Sequence, residues 1–155
     1  NLTLNFCLSG PAIKIFQDEI FFKKNLDLEE TINNSSVIIT GTSHSSMLEH
    51  NARIYAKKNK VISIAVIDHW VNYEVRFIRD SKKVLPDIIW VFDEFAEKIA
   101  KNIFTEIKIE CYENFYLKNL VKNIKKIEKV KLKSETNILY VLEPIRKKSI
   151  KKNAI

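Results

Sequence analysis

Short apolar runs alternate with longer amphipathic ones along the chain, and this alternation predicts the elements. Residues 2–8 read as a strand ending at Ser9-Gly10-Pro11. Pro11 suits the first turn of a helix, which Ala12, Ile15, Phe16 and Glu19 carry on. Residues 28–32 read as a short helix, and residues 37–40 as a buried strand that stops at Gly41. After a Ser/Thr-rich turn, Ser46 and Glu49 have capping-box spacing, which predicts a helix to about Asn59. Leu48, Ala52, Tyr55 and Ala56 form its apolar face. Residues 61–67 and 87–92 are two more continuous apolar strands. The first ends at Asp68-His69-Trp70 and the second at Asp93-Glu94, where a helix begins and runs to about Phe104.

Residues 71–86 read as irregular, with one alternative. Trp70, Tyr73 and Phe77 have the spacing of a short amphipathic helix with these rings inward. Residues 106–110 alternate like an edge strand. Residues 115–126 read as a helix with Leu117, Leu120, Val121, Ile124 and Ile127 on one stripe and lysines opposite. A last strand-like run, 137–142, precedes Pro144 and a basic tail at 146–152.

Apolar strands without alternation are expected where a sheet is covered on both faces. Regular strand–helix–strand order implies parallel pairing through right-handed crossovers. The expected fold is therefore α/β, a Rossmann-like three-layer sandwich with a mostly parallel sheet. The charged stretch 129–136 is the best boundary, separating an α/β domain over 1–128 from a basic segment over 129–155 that contains the last strand.

Composition bounds this picture. The 155 residues are 46% hydrophobic and 29% charged, which is globular and enough for one core. No apolar run approaches the ~20 residues of a membrane helix, and no secretory signal pattern is present, so a cytoplasmic location is expected. The formal charge of +7 first suggests nucleic acid. Counted by segment, residues 1–117 hold 14 basic and 16 acidic residues, while residues 118–155 hold 12 and 3. The basicity thus belongs to the last quarter of the chain. Only 4 of the 26 basic residues are Arg, the better residue for bidentate phosphate and base recognition. Nucleic acid is disfavoured as a partner. Contact of the basic tail with anionic lipid stays open, as does a homo-oligomer.

The two glycines, Gly10 and Gly41, are too few for the dinucleotide or nucleotide phosphate loops. Cys7 and Cys111 are read as buried packing residues and cannot form a disulfide framework. His44, His50 and His69 lack a one-face helical spacing for metal, so no metal or cofactor is expected.

Ligands of parallel sheets bind at the carboxyl ends of the strands. That rule selects Gly10, then the turn Gly41-Thr42-Ser43-His44-Ser45, then Asp68, His69 and Trp70, then Asp93 and Glu94. The hydroxyl-rich turn precedes a helix, whose free N–H groups suit a phosphate or sugar hydroxyls; a Ser-rich cap without ligand is the alternative. Asp68 and His69 suit a base and its orienter, and Trp70 can cover a ring; a capping Asp, a solvated His and a packed Trp are the alternative. Asn72, Tyr73 and Arg76 extend the cluster along a loop on the rim.

The runs Ser9-Gly10-Pro11-Ala12, Ile39-Thr40-Gly41-Thr42-Ser43, Ile67-Asp68-His69-Trp70-Val71-Asn72-Tyr73 with Arg76-Phe77, Leu85-Pro86-Asp87 and Asp93-Glu94 resemble a group of GT-B-like proteins. These are similar to the N-terminal half of glycosyltransferases and of non-hydrolysing UDP-N-acetylglucosamine 2-epimerases. The resemblance spans about residues 5–143, with residues 68–73 its most specific part. The epimerase motifs are absent, so epimerase catalysis is not implied. It implies a glycosyltransferase-like domain that binds a sugar acceptor or nucleotide-sugar in polysaccharide or sugar-nucleotide metabolism. Asp68 or His69 would be the base and the other named rim residues the ligand contacts. Residues 138–145 resemble the opening strand of a second GT-B domain, so the chain is expected to be either half of a two-domain enzyme or a reduced relative of one. The competing expectation is a non-enzymatic small-ligand or protein-binding module of the same fold.

Overall fold

The computed structural model describes residues 2–19, 21–43 and 46–124. The strand expected over 137–142, the boundary at 129–136 and the basic tail lie outside the described residues. The chain divides after Lys118, and the residues up to that point form one compact unit. In chain order the elements are α1 (Pro11–Phe16), α2 (Leu28–Asn33), β1 (Val37–Thr40), α3 (Met47–Asn59), β2 (Ile62–Val66), β3 (Ile78–Arg79), β4 (Lys82–Lys83), β5 (Ile88–Val91), α4 (Glu94–Ile103), β6 (Lys108–Cys111) and α5 (Phe115–Ile124). A single 3-10 turn, Glu74–Phe77, precedes β3.

The sheet is parallel, in the order β1-β2-β5-β6, with Thr40 opposite Ala65, Ala65 opposite Ile89 and Ile89 opposite Ile109. The fold is the expected α/β, Rossmann-like class, a parallel sheet flanked by helices. Ala65, Ile89 and Val91 project from one face against Ala96 and Ala100 of α4, and Ile38 meets Ala52 and Ala56 of α3. Alanine at these helix positions lets each helix lie close to the strands. On the alternate positions Ile64 is buried, whereas Val37, Ile39 and Ile62 remain exposed.

Local chemistry sets the helix ends. Asp27, Ser46 and Asp93 cap α2, α3 and α4, each accepting a backbone N–H from the first turn. The capping box at α3 forms only in half. Ser46 accepts from Leu48 N–H at 3.2 Å, but Glu49 accepts from Ser43 N–H at 2.8 Å instead of turning back to the cap.

The buried face of α3 also departs from the sequence pattern. Tyr55 is exposed, while Arg53 and His50 are buried. Arg53 can be buried because its guanidinium donates to Val84 O at 3.3 Å and Thr40 Oγ1 at 3.4 Å and lies 5.1 Å from the Phe77 ring. Desolvation nevertheless lowers its pKa to about 10.

The region read as irregular is ordered by Tyr73 and Phe77, both buried, with Phe77 edge-on to Phe104 at 5.4 Å. Trp70, the third member of that spacing, is exposed. Asp80 and Ser81 both take positive φ, 48° and 62°, which closes the β3–β4 hairpin with a twist that matches the strands.

Two further expectations are corrected. Residues 2–8 do not form a strand; they make one isolated bridge, Phe6 with Asn25. The Asn25 side chain accepts from Leu8 N–H at 2.6 Å and donates to Leu8 O at 2.9 Å, replacing a ladder partner. The apolar residues serve an aromatic cluster instead, Phe6 with Phe16, Phe21 and Phe22. The cysteines are not buried packing residues either. Cys111 is exposed at the end of the edge strand β6, and Cys7 is half-buried.

Candidate functional site

The carboxyl ends of β2 and β5 converge on a cavity of about 680 Å³. Ile67, Asp68, His69 and Trp70 leave β2 into it, and Phe92 and Asp93 follow β5. Phe95, Ala96 and Ile99 of α4, with Asn114 and Leu117, complete the wall. The lining is mostly apolar with a few converging polar groups, the composition of small-molecule sites.

Asp93 organises this cavity. Its Oδ1 accepts from Ala96 N–H at 2.8 Å and so caps α4. Its Oδ2 accepts from the Trp70 indole N–H at 2.9 Å. One carboxylate therefore ties the loop after β2 to the start of α4 and sets the indole orientation. Trp70 is still 58% exposed and Phe95 77% exposed, so both present ring surface to solvent. Asn114 has a similar double place: it lines the cavity and accepts from Leu117 N–H at 2.9 Å.

Asp68 and His69 both stand exposed on the rim. Asp68 Oδ1 lies 3.7 Å from Arg76 Nη1. Among the described hydrogen bonds none joins Asp68 to His69. The cavity thus brings Asp68, His69, Trp70 and Asp93 together, four of the residues that sequence reasoning places on the rim.

The other rim residues lie elsewhere. Thr42 is buried; its hydroxyl donates to Val66 O at 2.9 Å. Arg76 donates from Nη1 to Thr42 O at 3.1 Å and from Nε to Val71 O at 3.3 Å, binding the loops after β1 and β2 to each other. Arg79 donates to Ser43 O from the hairpin. Ser43 N–H donates to Glu49, whose carboxylate fills the mouth of the turn. Gly41 makes this fit: a Cβ there would stand 2.5 Å from Glu49 Oε1. Tyr73 belongs to the core, with its hydroxyl donating to Ala96 O at 3.4 Å. Burial, with the Asp93 charge behind it, pushes the Tyr73 phenol up from its ordinary value. Asn72 (φ 61°) and Glu94 are exposed and outside the cavity wall. Gly10 caps α1 at φ 59°, a conformation that favours glycine. His44 and Ser45 lie outside the described residues.

Sequence reasoning did not place Phe95 on the cavity wall or Glu49 in the turn after β1. Phe95 had a signal, a large aromatic in the first turn of a helix directly behind Asp93. Glu49 had none, because its spacing matched an ordinary capping box. Among the described residues no group of three or more His, Cys, Asp and Glu could hold a metal ion. No described helix is long and apolar enough to cross a membrane.

No family model, curated protein or solved structure matches the chain. The glycosyltransferase-like resemblance therefore rests on the residues quoted for it. The cavity is described by its own chemistry: two carboxylates, an imidazole and two exposed aromatic rings on an apolar floor.

Proposed function

We propose that this chain is a glycosyltransferase-like α/β domain that binds a saccharide at the carboxyl ends of β2 and β5. The observation that carries the reading is the exposed Trp70 indole, fixed by Asp93 over a cavity of about 680 Å³. A sugar offers an apolar C–H face to an aromatic ring and hydroxyls to carboxylates and an imidazole, and this wall supplies all three. In the transferase form of the reading, Asp68 or His69 takes a proton from an acceptor hydroxyl. The setting is polysaccharide or sugar-nucleotide metabolism.

One observation favours the non-enzymatic form, a binding module of the same fold. A general base works best when a second group orients it, and Asp68 faces Arg76 rather than His69. Titration of the full chain with a panel of glycosides and UDP-sugars, followed by NMR, tests both. Shifts centred on residues 67–70 and 92–96 support saccharide binding, and turnover of a donor by the chain selects the transferase form. A panel that leaves those resonances unmoved refutes the saccharide reading.

A further inference from the structure

A second cavity, of about 730 Å³, lies apart from the first and shares no lining residue with it. It lies between β1 and residues 2–9, with Leu48 and Ala52 of α3 and the rings of Phe16 and Phe21 in its lining. β1 is an edge strand, paired with β2 alone among the described residues. Its outward groups follow from the ladder. A residue in a parallel strand turns its N–H and C=O to one neighbour, and the next residue turns them to the other. Ser63 O accepts from Asp87 N–H at 3.0 Å and Ile67 N–H donates to Trp90 O at 2.9 Å, so Ser63, Ala65 and Ile67 face β5. Ile62, Ile64 and Val66 therefore face β1, where the register makes Ile38 and Thr40 their partners. Val37 and Ile39 are left with N–H and C=O turned outward.

The opposite wall has the same property. Phe6 O accepts from Leu26 N–H at 2.7 Å, and the Leu8 backbone is bonded to the Asn25 side chain, so Phe6 and Leu8 face residues 25–26. Asn5 and Cys7 alternate with them and turn the other way, and no described backbone bond engages them. The cavity is thus flanked by two open backbone edges. The two edges of the sheet also differ in protection. β6 carries Lys108 and Glu110, charges that discourage a further strand, whereas Val37–Thr40 carries no charge, proline or glycine.

We propose that this cavity is a peptide site, in which an extended segment of a partner protein inserts as a strand between β1 and Asn5–Cys7. Backbone complementarity selects this occupant. An extended polypeptide presents donors and acceptors on both of its edges, whereas an acyl chain or a flat ring would leave the two walls unpaired. β1 spans four residues, or about 13 Å at ~3.3 Å each, so a segment of about four to six residues fills the site. Leu48, Ala52, Phe16 and Phe21 meet its side chains, which selects apolar ones.

The test is titration of the full chain with short blocked peptides that alternate Val or Ile with Thr, followed by amide NMR and hydrogen exchange. Two further forms of each peptide carry N-methyl groups at alternate residues, so that each form blocks one edge. The parent peptides are expected to shift the Asn5, Cys7, Val37 and Ile39 amides and slow their exchange. Each methylated form should bind about tenfold more weakly. Weakening by only one methylated form would mean pairing with a single wall, and overturns insertion. Affinity unchanged by either methylation, shifts confined to residues 67–70 and 92–96, or no response at millimolar peptide overturns the peptide site. So does a site already filled in the free chain. Close contacts of the Asn5 or Cys7 amides with those of Val37 or Ile39 would show residues 2–8 closing on β1 themselves, and protection that rises with chain concentration would show a second copy there.

Discussion

Gly41→Ala tests the reading that Glu49 fills the turn after β1. A methyl group at position 41 would stand 2.5 Å from Glu49 Oε1 and 3.5 Å from Cδ. Gly41 is not in the left-handed region, so alanine brings no backbone strain. The obstacle is the far end of a flexible side chain, and the carboxylate should swing out rather than the backbone move. The cost is the hydrogen bond from Ser43 N–H to Glu49 Oε2, 2.8 Å long. A hydrogen bond to a charged group contributes about 1.5–3 kcal/mol when sheltered, and nearer 1 kcal/mol here because Ser43 is exposed. Against it stands a gain of about 0.4–1 kcal/mol from the smaller unfolded-state freedom of alanine. Gly41→Ala should therefore be nearly neutral to mildly destabilising in the natural background. With Glu49→Ala already present, the same change should stabilise the chain by about 0.4–1 kcal/mol. The coupling between the two sites is then roughly 1 kcal/mol, read by urea unfolding of the two single variants and the double variant. Additivity within about 0.3–0.5 kcal/mol would show that Glu49 does not occupy the turn.

Asp93→Ser keeps a helix cap but loses the acceptor for the Trp70 indole. It should change stability by only a few tenths of a kcal/mol while shifting the Trp70 indole resonance, whereas Asp93→Ala should cost about 1 kcal/mol in addition; an unmoved indole would refute the tie. Phe77→Ala empties a fully buried site between Phe104 and Arg53 and should cost about 3–5 kcal/mol by denaturant titration. His50 gives a pH dependence. Burial first, then the charges of Arg53, Arg79 and Lys82 with Asp80 opposing them, lowers its pKa below the ordinary value, and its buried Nδ1 has no partner among the described hydrogen bonds. The unfolded chain therefore takes up the proton first, and stability should fall as pH drops from the usual histidine value through the folded one. His50→Gln should flatten that slope, and an unchanged slope would refute the assignment.

Much of the fold is legible in the residues. The runs at β1, β2 and β5 are apolar and bounded by Gly41, Asp68 and Asp93, and Asp27, Ser46 and Asp93 sit where short polar side chains cap helices. Parallel order follows because each crossover is too long for a hairpin. The cavity was legible in part, since Asp68, His69, Trp70 and Asp93 all follow strand ends and the topology places those ends side by side. Tyr73 and Arg76 have residue types equally suited to ligand contact or burial, and periodicity does not separate the two. The N-terminal run failed for a related reason: a short apolar stretch serves a strand or an aromatic cluster alike, and Asn25 settles the matter from 17 residues away.

By itself, then, the sequence determined the strands of the parallel sheet, the helices between them, their caps and the strand ends on which chemistry can sit, because these depend on neighbours within a turn or two. The tertiary structure decided which rim residues share a cavity, that Arg76 and Thr42 hold loops together, and that Glu49 meets the Ser43 amide. It also decided that Arg53 is inside and Cys111 outside. Those outcomes depend on partners distant in the chain, such as Val84 for Arg53 and Thr42 for Arg76, and a side chain is buried or exposed according to whether such a partner is there to meet it.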